Sequence, residues 1–466
     1  MREPRIRRCV GALAVAAGCG SPPPAPPPYV GPESSNLPIV LVDTGGVRVD
    51  ADEIWDADGT RGWAPTAVTV IDVGPDGRAA FDGPASWSGP AGLHVRGHST
   101  LDFPKKPYAM ETWDEAGDEM DVGLLGMPPE SDWVLEAPYS DKTLMRDALM
   151  FLWSNAIGRW APRTRFVELF LHDDAGGTVR LEDYRGVYML TEKIKRDENR
   201  VAITELDPQD AVEPEVTGGY LLARDWWDEE RPETWFATET YGDVLLWESP
   251  RFDRITDAQK AWMQGWLARF EEALDSDDFR DPDRGYRTFV DSDSFVDYML
   301  LVEMGRTVDG YVLSTFVTKD RGGPLAMGPI WDFDGALGNA DYFEAWRTDG
   351  WHHENPDFPE DNSNGFRWYE RMLTDPDFLQ RRRERWAEVR AGPLSTDALL
   401  ADVDAMAAGI GEAADTNFER WPILGRYVWP NDEGATDRHT WDEEIAYLGE
   451  WLVGRAQWMD EALDER

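Results

Sequence analysis

Cysteine is nearly missing from this 466-residue chain: Cys9 and Cys19 are the only two, both near the N-terminus. The folded part therefore has no disulfide and no thiolate metal site. Histidine is scarce, with six copies, and no H-E-x-x-H pair sets them up for zinc. The P-loop motif G-x-x-x-x-G-K-[ST], the G-x-G-x-x-G turn and the G-x-S-x-G elbow are all absent, which leaves a Ser-His-Asp hydrolase little support. Positive charge is also short. Lys and Arg number 46 against 90 Asp and Glu, a net charge of −44 that repels phosphate backbones and excludes general nucleic-acid binding. No apolar run is long enough for a transmembrane helix.

Apolar residues make up 42% of the chain and aromatic residues 12%, enough for a large core, so wholesale disorder is excluded. Twenty-three Trp is a heavy load, read mainly as packing. Residues 1–18 have the pattern of a bacterial export signal: Arg2, Arg5, Arg7 and Arg8, then the apolar Val10–Ala17, then small residues before Cys19. Small residues ahead of a cysteine resemble a lipobox, which implies cleavage and lipidation at Cys19; the plainer alternative is an ordinary secretory signal cut nearby. Either way the protein is expected outside the cytoplasm, touching a membrane only through that anchor. Cleavage before Cys19 removes four Arg and one Glu, making the mature chain three charges more negative. Residues 19–36 form a spacer whose Pro-rich part, Ser21–Pro28, is stiff.

Beyond the spacer, short strands are predicted at Pro38–Asp43, Ala67–Val73, Leu93–Arg96, Pro107–Thr112, Phe166–Leu171 and Gly186–Ile194. Leu144–Ile157 has helical spacing, with Asp141 at the cap. From about Thr256 helices dominate: Ala261–Leu274, Phe295–Val302 capped by Asp293 or Ser294, and finally Glu444–Leu463. The expected class is α+β, with a hairpin-rich part over residues 37–250 and a catalytic hairpin plus helices over 251–466.

The chemistry concentrates in Gly328-Pro329-Ile330-Trp331-Asp332-Phe333-Asp334-Gly335. Two carboxylates one residue apart, at the end of an apolar run, suit a hard cation such as Mg²⁺ if the backbone turns there; two solvated loop acids are the bland alternative. The runs Tyr311–Val317 and Leu325–Trp331 read as a hairpin. A turn centred between Asp320 and Arg321 sets Asp309 opposite Asp332, and one centred a residue later sets it opposite Asp334. Three gathered acids repel one another unless a cation neutralises them. Asp332 and Asp334 are then the metal ligands, and Asp309 accepts or orients the proton of an attacking hydroxyl. Ser314 reads as an ordinary strand serine.

A basic counterpart lies at Arg96-Gly97-His98-Ser99 and Phe103-Pro104-Lys105-Lys106. If the flanking strands pair, Arg96, Lys105 and Lys106 offer a polyphosphate pocket; pairing with local acids such as Glu111 is the equal alternative. Glu192 and Lys193 end a strand, with Glu192 placed to orient a lysine by an ion pair.

In order, these motifs, with Asp132-Trp133-Val134-Leu135, Asp141 ahead of Arg146, Gly186–Lys193, Asp309 and Pro329–Asp334, resemble the CotH family of atypical, spore-coat-type protein kinases. The resemblance runs from about Leu37 into the C-terminal helices. It implies a two-lobed, remotely kinase-like fold, binding of ATP with Mg²⁺ or Mn²⁺, and phosphorylation of Ser or Thr on secreted or coat proteins. It matches Asp309 to the catalytic aspartate, Asp332 to the metal ligand, and Arg96 and Lys105 to nucleotide-binding cations. His98 stands where many members have Asn. Two other readings stay open: a surface-binding module whose Trp-rich face takes a glycan or coat partner, and a phosphohydrolase using water as nucleophile.

Overall fold

The computed structural model describes residues 29–49, 62–355 and 366–464. The predicted signal peptide, Cys19 and the proline run of the spacer lie outside the described residues.

Seven strands close into a barrel: β1 (Ile39–Asp43), β2 (Ala64–Ile71), β3 (Trp87–Val95), β4 (Tyr108–Thr112), β5 (Asp132–Glu136), β6 (Thr164–His172) and β7 (Tyr184–Glu192). The order is β1-β2-β3-β4-β5-β7-β6, and β6 closes the ring by pairing parallel with β1, Val40 opposite Leu169. The alternation that predicts strands also fills the barrel: Val68, Val70, Leu93, Met110, Leu135, Leu169 and Leu190 point inward and are buried. The predicted strands are here, β3 running further toward its N-terminus than expected. Closure itself leaves no local mark in sequence, because it depends on the pairing of β1 with β6, which are far apart in the chain.

A second sheet has the order β9-β10-β8-β11-β12, from β8 (Tyr220–Arg224), β9 (Trp235–Ala237), β10 (Val244–Ser249), β11 (Thr315–Lys319) and β12 (Leu325–Met327). Its strands come from both sides of residue 250, where the pattern turns helical.

Among the described residues there are eight α-helices: α1 (Arg146–Ala156), α2 (Asp257–Asp275), α3 (Ser292–Gly305), α4 (Phe366–Met372), α5 (Pro376–Arg390), α6 (Thr396–Ile410), α7 (Glu412–Arg420) and α8 (Trp441–Asp464). Helix α3 is buried on every side from Ser294 to Gly305, as its largely apolar composition requires, with its buried acids Asp297 and Glu303 partnered by Arg385 and by Tyr311 and Arg455. Its cap is Asp291, whose carboxylate accepts from the amides of Asp293 and Ser294, so those two residues are inside the first turn rather than capping it. Asp141 stands a turn ahead of α1, yet its Oδ2 still accepts the Arg146 amide at 2.8 Å. Helix α7 docks on the barrel through Asn417, whose Oδ1 accepts the Val187 amide at 3.1 Å.

Candidate active site

A cavity of about 500 Å³ opens where the β3 and β5 ends of the barrel, the first turn of α1 and the segments following β8, α3 and β12 meet. That size suits a nucleotide-scale ligand. Asp309, Asp332 and Asp334 all line it, joined by Glu136, Asp147 and Asp225.

The predicted hairpin exists but is shorter and shifted. β11 pairs β12 as Val317 opposite Met327 and Lys319 opposite Leu325, so the turn centres on Gly322 and neither predicted register occurs. Tyr311 and Ser314 sit at φ 71° and 49°, left-handed values that break the first run before Thr315. Asp309 therefore belongs to the turns after α3, where its carbonyl accepts the Val312 and Leu313 amides, both at 2.9 Å. The acids are brought together by loops, not by strand pairing.

Asp332 is also left-handed, at φ 66°. Such a conformation costs an L residue roughly 1–2 kcal/mol and persists where surrounding bonds fix it. Here the Asp332 carbonyl accepts from Thr307 Oγ1 at 3.1 Å, and the next amide, of Phe333, donates to Asp147 Oδ1 at 2.6 Å. Ser314 Oγ donates to Asp332 Oδ2 at 3.1 Å, so this serine belongs to the site and is no ordinary strand residue. The Asp332 and Asp334 side chains lie within hydrogen-bonding reach of each other.

Burial raises the carboxyls of Asp309, Asp334 and Asp147 above the usual range, and in each the charge of Asp332 adds to the rise. Burial followed by the Asp332 charge likewise outweighs the Trp226 amide and pushes Asp225 up to about 6. Asp332 is itself raised by burial, against the pull of Ser314 and Arg96. This is the electrostatic signature of an acid cluster suited to cations.

Arg96 is the one Lys or Arg among the described residues lining the cavity. It pairs with Glu136 and lies over the Trp331 ring, 5.3 Å from its centroid. The other proposed phosphate cations are elsewhere. Lys105 is buried, donating to the carbonyl of Val187 at 2.5 Å and to Asn417 Oδ1 at 3.0 Å. Lys106 donates to the Leu101 carbonyl and does not line the cavity. Strand pairing does bring Arg96 opposite Pro107, its amide donating to that carbonyl at 3.1 Å, but the lysine side chains turn away. Glu192 orients no lysine: it takes Arg163 in a two-pronged bond at 2.8 and 2.6 Å, with Arg200 nearby. Lys193 pairs with Asp132 at 3.2 Å. Neither Glu192 nor Lys193 lines the cavity.

Sequence reasoning missed Glu136, Asp147 and Asp225. Glu136 ends β5, Asp147 lies in the first turn of α1 and Asp225 follows β8, and position near an element end was the available signal. It also missed the aromatic mouth. His98 stacks on Trp226 with centroids 4.4 Å apart, and Tyr342 stacks on Trp429 at 6.2 Å, with both tryptophans well exposed.

Among the described residues no three His, Cys, Asp or Glu side chains gather closely enough to enclose a metal ion by themselves. Mg²⁺ does not require such a cage: it commonly takes one or two carboxylates and completes its shell with water and substrate phosphates. The adjoining, oxygen-only side chains of Asp332 and Asp334 fit that pattern.

A mixed α/β protein with a closed barrel and an acid-lined cleft is the class these features define. The sequence pattern of the family described as CotH kinase protein matches residues 93–459, and the chain belongs to that family. No match was found among curated proteins.

Proposed function

We propose that the protein is an exported protein kinase that transfers the γ-phosphoryl group of ATP to a Ser or Thr hydroxyl of a surface or secreted protein. Family membership supports kinase chemistry in general, and one observation carries the assignment to this cleft: Asp309, Asp332 and Asp334 line one cavity together with Arg96. We read the barrel part and the helical part as counterparts of the two lobes of a kinase, with the cleft where they meet, and Cys19 as a lipid anchor.

Asp332 and Asp334 would hold Mg²⁺ or Mn²⁺, which when bound neutralises phosphate charge that this acidic cleft would otherwise repel. Asp309 accepts the proton of the attacking hydroxyl; burial and neighbouring charge make its carboxylate more basic than a solvated one, which favours that role. Arg96 offers a planar fork to a phosphate oxygen, at the expense of its pairing with Glu136. Ser314 and Asp147 fix Asp332 and the backbone after it. The exposed faces of Trp226 and Trp429 receive the flat or apolar parts of nucleotide and acceptor.

The test is incubation of the purified protein with γ-labelled ATP and Mg²⁺ or Mn²⁺. Label on protein supports the kinase. Free phosphate alone would instead support a phosphohydrolase on the same acids, and no turnover would support a binding module.

A further inference from the structure

The helix that delivers Asp309 ends in an unusual knot around one buried carboxylate, Glu303. Oε1 of Glu303 accepts from Tyr311 Oη at 3.0 Å, from the His353 amide at 3.1 Å and from His353 Nδ1 at 2.7 Å. Oε2 accepts the His352 amide at 2.6 Å and faces Arg455 at 3.4 Å. Arg455 also donates twice to the Glu303 carbonyl, at 2.9 and 2.6 Å, and to the carbonyls of Thr348 and Gly350. Arg306 grips the same segment through the carbonyls of Asp349 and Gly350, at 2.7 and 2.6 Å. Burial would raise the Glu303 carboxyl, yet His353 and Arg455 hold it far below the usual range, so it stays ionised.

The consequence is geometric. The chain leaves α3 at Gly305, passes Arg306 at φ 46°, and comes back at Tyr311 at φ 71° to bond the helix it left. Asp309 lies inside that excursion: Tyr311 after it is held by the Glu303 carboxylate, and Arg306 before it by the Asp349 and Gly350 carbonyls, the second of which Arg455 also binds. A six-residue loop tied at one end to the Glu303 carboxylate and at the other to the carbonyls of residues 349–350 has little freedom to move its middle. The network also ties α3 to α8 and to the 348–353 segment, and Glu303 is the counter-ion of the fully buried Arg455.

We propose that Glu303 is a positioning residue for phosphoryl transfer: with Tyr311 it fixes the turn that presents Asp309 to the cleft. This rests on Asp309 being the catalytic base. Misplacement of a reacting group by about an ångström can cost roughly a hundred-fold in rate, so loss of the hub belongs in kcat and not in nucleotide affinity.

The experiment compares wild type, Tyr311→Phe, Glu303→Gln and the double variant in the full chain. Hydrogen exchange is followed at residues 306–313 alongside kcat and KM for ATP. Tyr311→Phe deletes one hydroxyl in a buried site and guards against the chance that Glu303→Gln fails to fold. The expected result is faster exchange at 306–313 in every variant while α3 stays protected. With it, kcat falls about ten-fold or more, KM for ATP stays within about two-fold, and the double variant loses little beyond Glu303→Gln. Unchanged exchange at 306–313 in Tyr311→Phe overturns the proposal, as does a kcat loss no larger than the loss of folded protein. A wild type that labels no protein defeats the kinase reading instead, and the exchange data still decide whether Glu303 holds the turn.

Discussion

Asp309 and Asp332 share a cavity and a like charge but are given different tasks by their surroundings. Asp332 is held by Ser314 and drawn by Arg96, so it keeps its charge more readily; Asp309 faces Asp332 and Asp225 and is raised by both after burial. Asp309→Asn is therefore predicted to keep nucleotide binding and lower phosphoryl transfer by about 10²–10⁴-fold, measured as initial rates at saturating ATP. Asp332→Asn should instead abolish Mn²⁺-dependent binding of ATP, read by calorimetry with and without the metal. At this scale the gathering of three acids and one cation around a single cleft is legible. Asp309, Asp332 and Asp334 were readable because they adjoin strongly apolar runs, and Arg96 because cations are rare in the chain. Lys105 was misread for a physical reason: its acceptors are the Pro138 and Val187 carbonyls and Asn417, contributed by three distant segments that no local pattern announces.

Elements decide whether those residues meet. The barrel presents Arg96 and Glu136 at the ends of β3 and β5, and α7 seals its side at Gly186. Gly186 has φ 106°, and a Cβ there would lie 2.6 Å from Asn417 Oδ1 and 2.9 Å from Trp421 Nε1. Gly186→Ala is predicted to destabilise the protein by about 1–3 kcal/mol, measured by denaturant unfolding. Glu168, on β6, accepts from Ser35 at 2.9 Å and from Tyr184, tying the segment before β1 to the barrel. Burial, opposed by those hydrogen bonds and by Lys105, raises its carboxyl to about 7. A raised carboxyl binds its proton more tightly in the folded state, so this contribution to stability is full below about 4.5 and is lost as pH rises through 7. Glu168→Gln should flatten the Tm-versus-pH profile between those limits, relative to wild type. The period made six of the seven barrel strands and the helices α1, α2, α3 and α8 legible, while β5 and β8 to β10 are too short or too interrupted to stand out by alternation. The barrel closure and the shift of the β11–β12 turn were not, since one depends on distant pairing and the other on left-handed residues within an apolar run.

For the whole molecule, the excess of acids over bases shapes both function and stability. Forty-four uncompensated negative charges repel one another, so Tm is predicted to rise with NaCl, and at matched ionic strength to rise further with Mg²⁺ in wild type but not in Asp332→Asn. The acid-lined cleft makes the same demand locally: under the proposed function, ATP would need cations held at Asp332 and Asp334 to enter it. The measurement that bears most directly on this is transfer of label from γ-labelled ATP, in Mg²⁺, by the purified wild-type protein and Asp309→Asn, to itself and to an added unfolded acceptor containing Ser and Thr. The account predicts label on protein hydroxyls in wild type that falls at least about a hundred-fold in the variant. Label that survives Asp309→Asn, or release of free phosphate with none on protein, would contradict it.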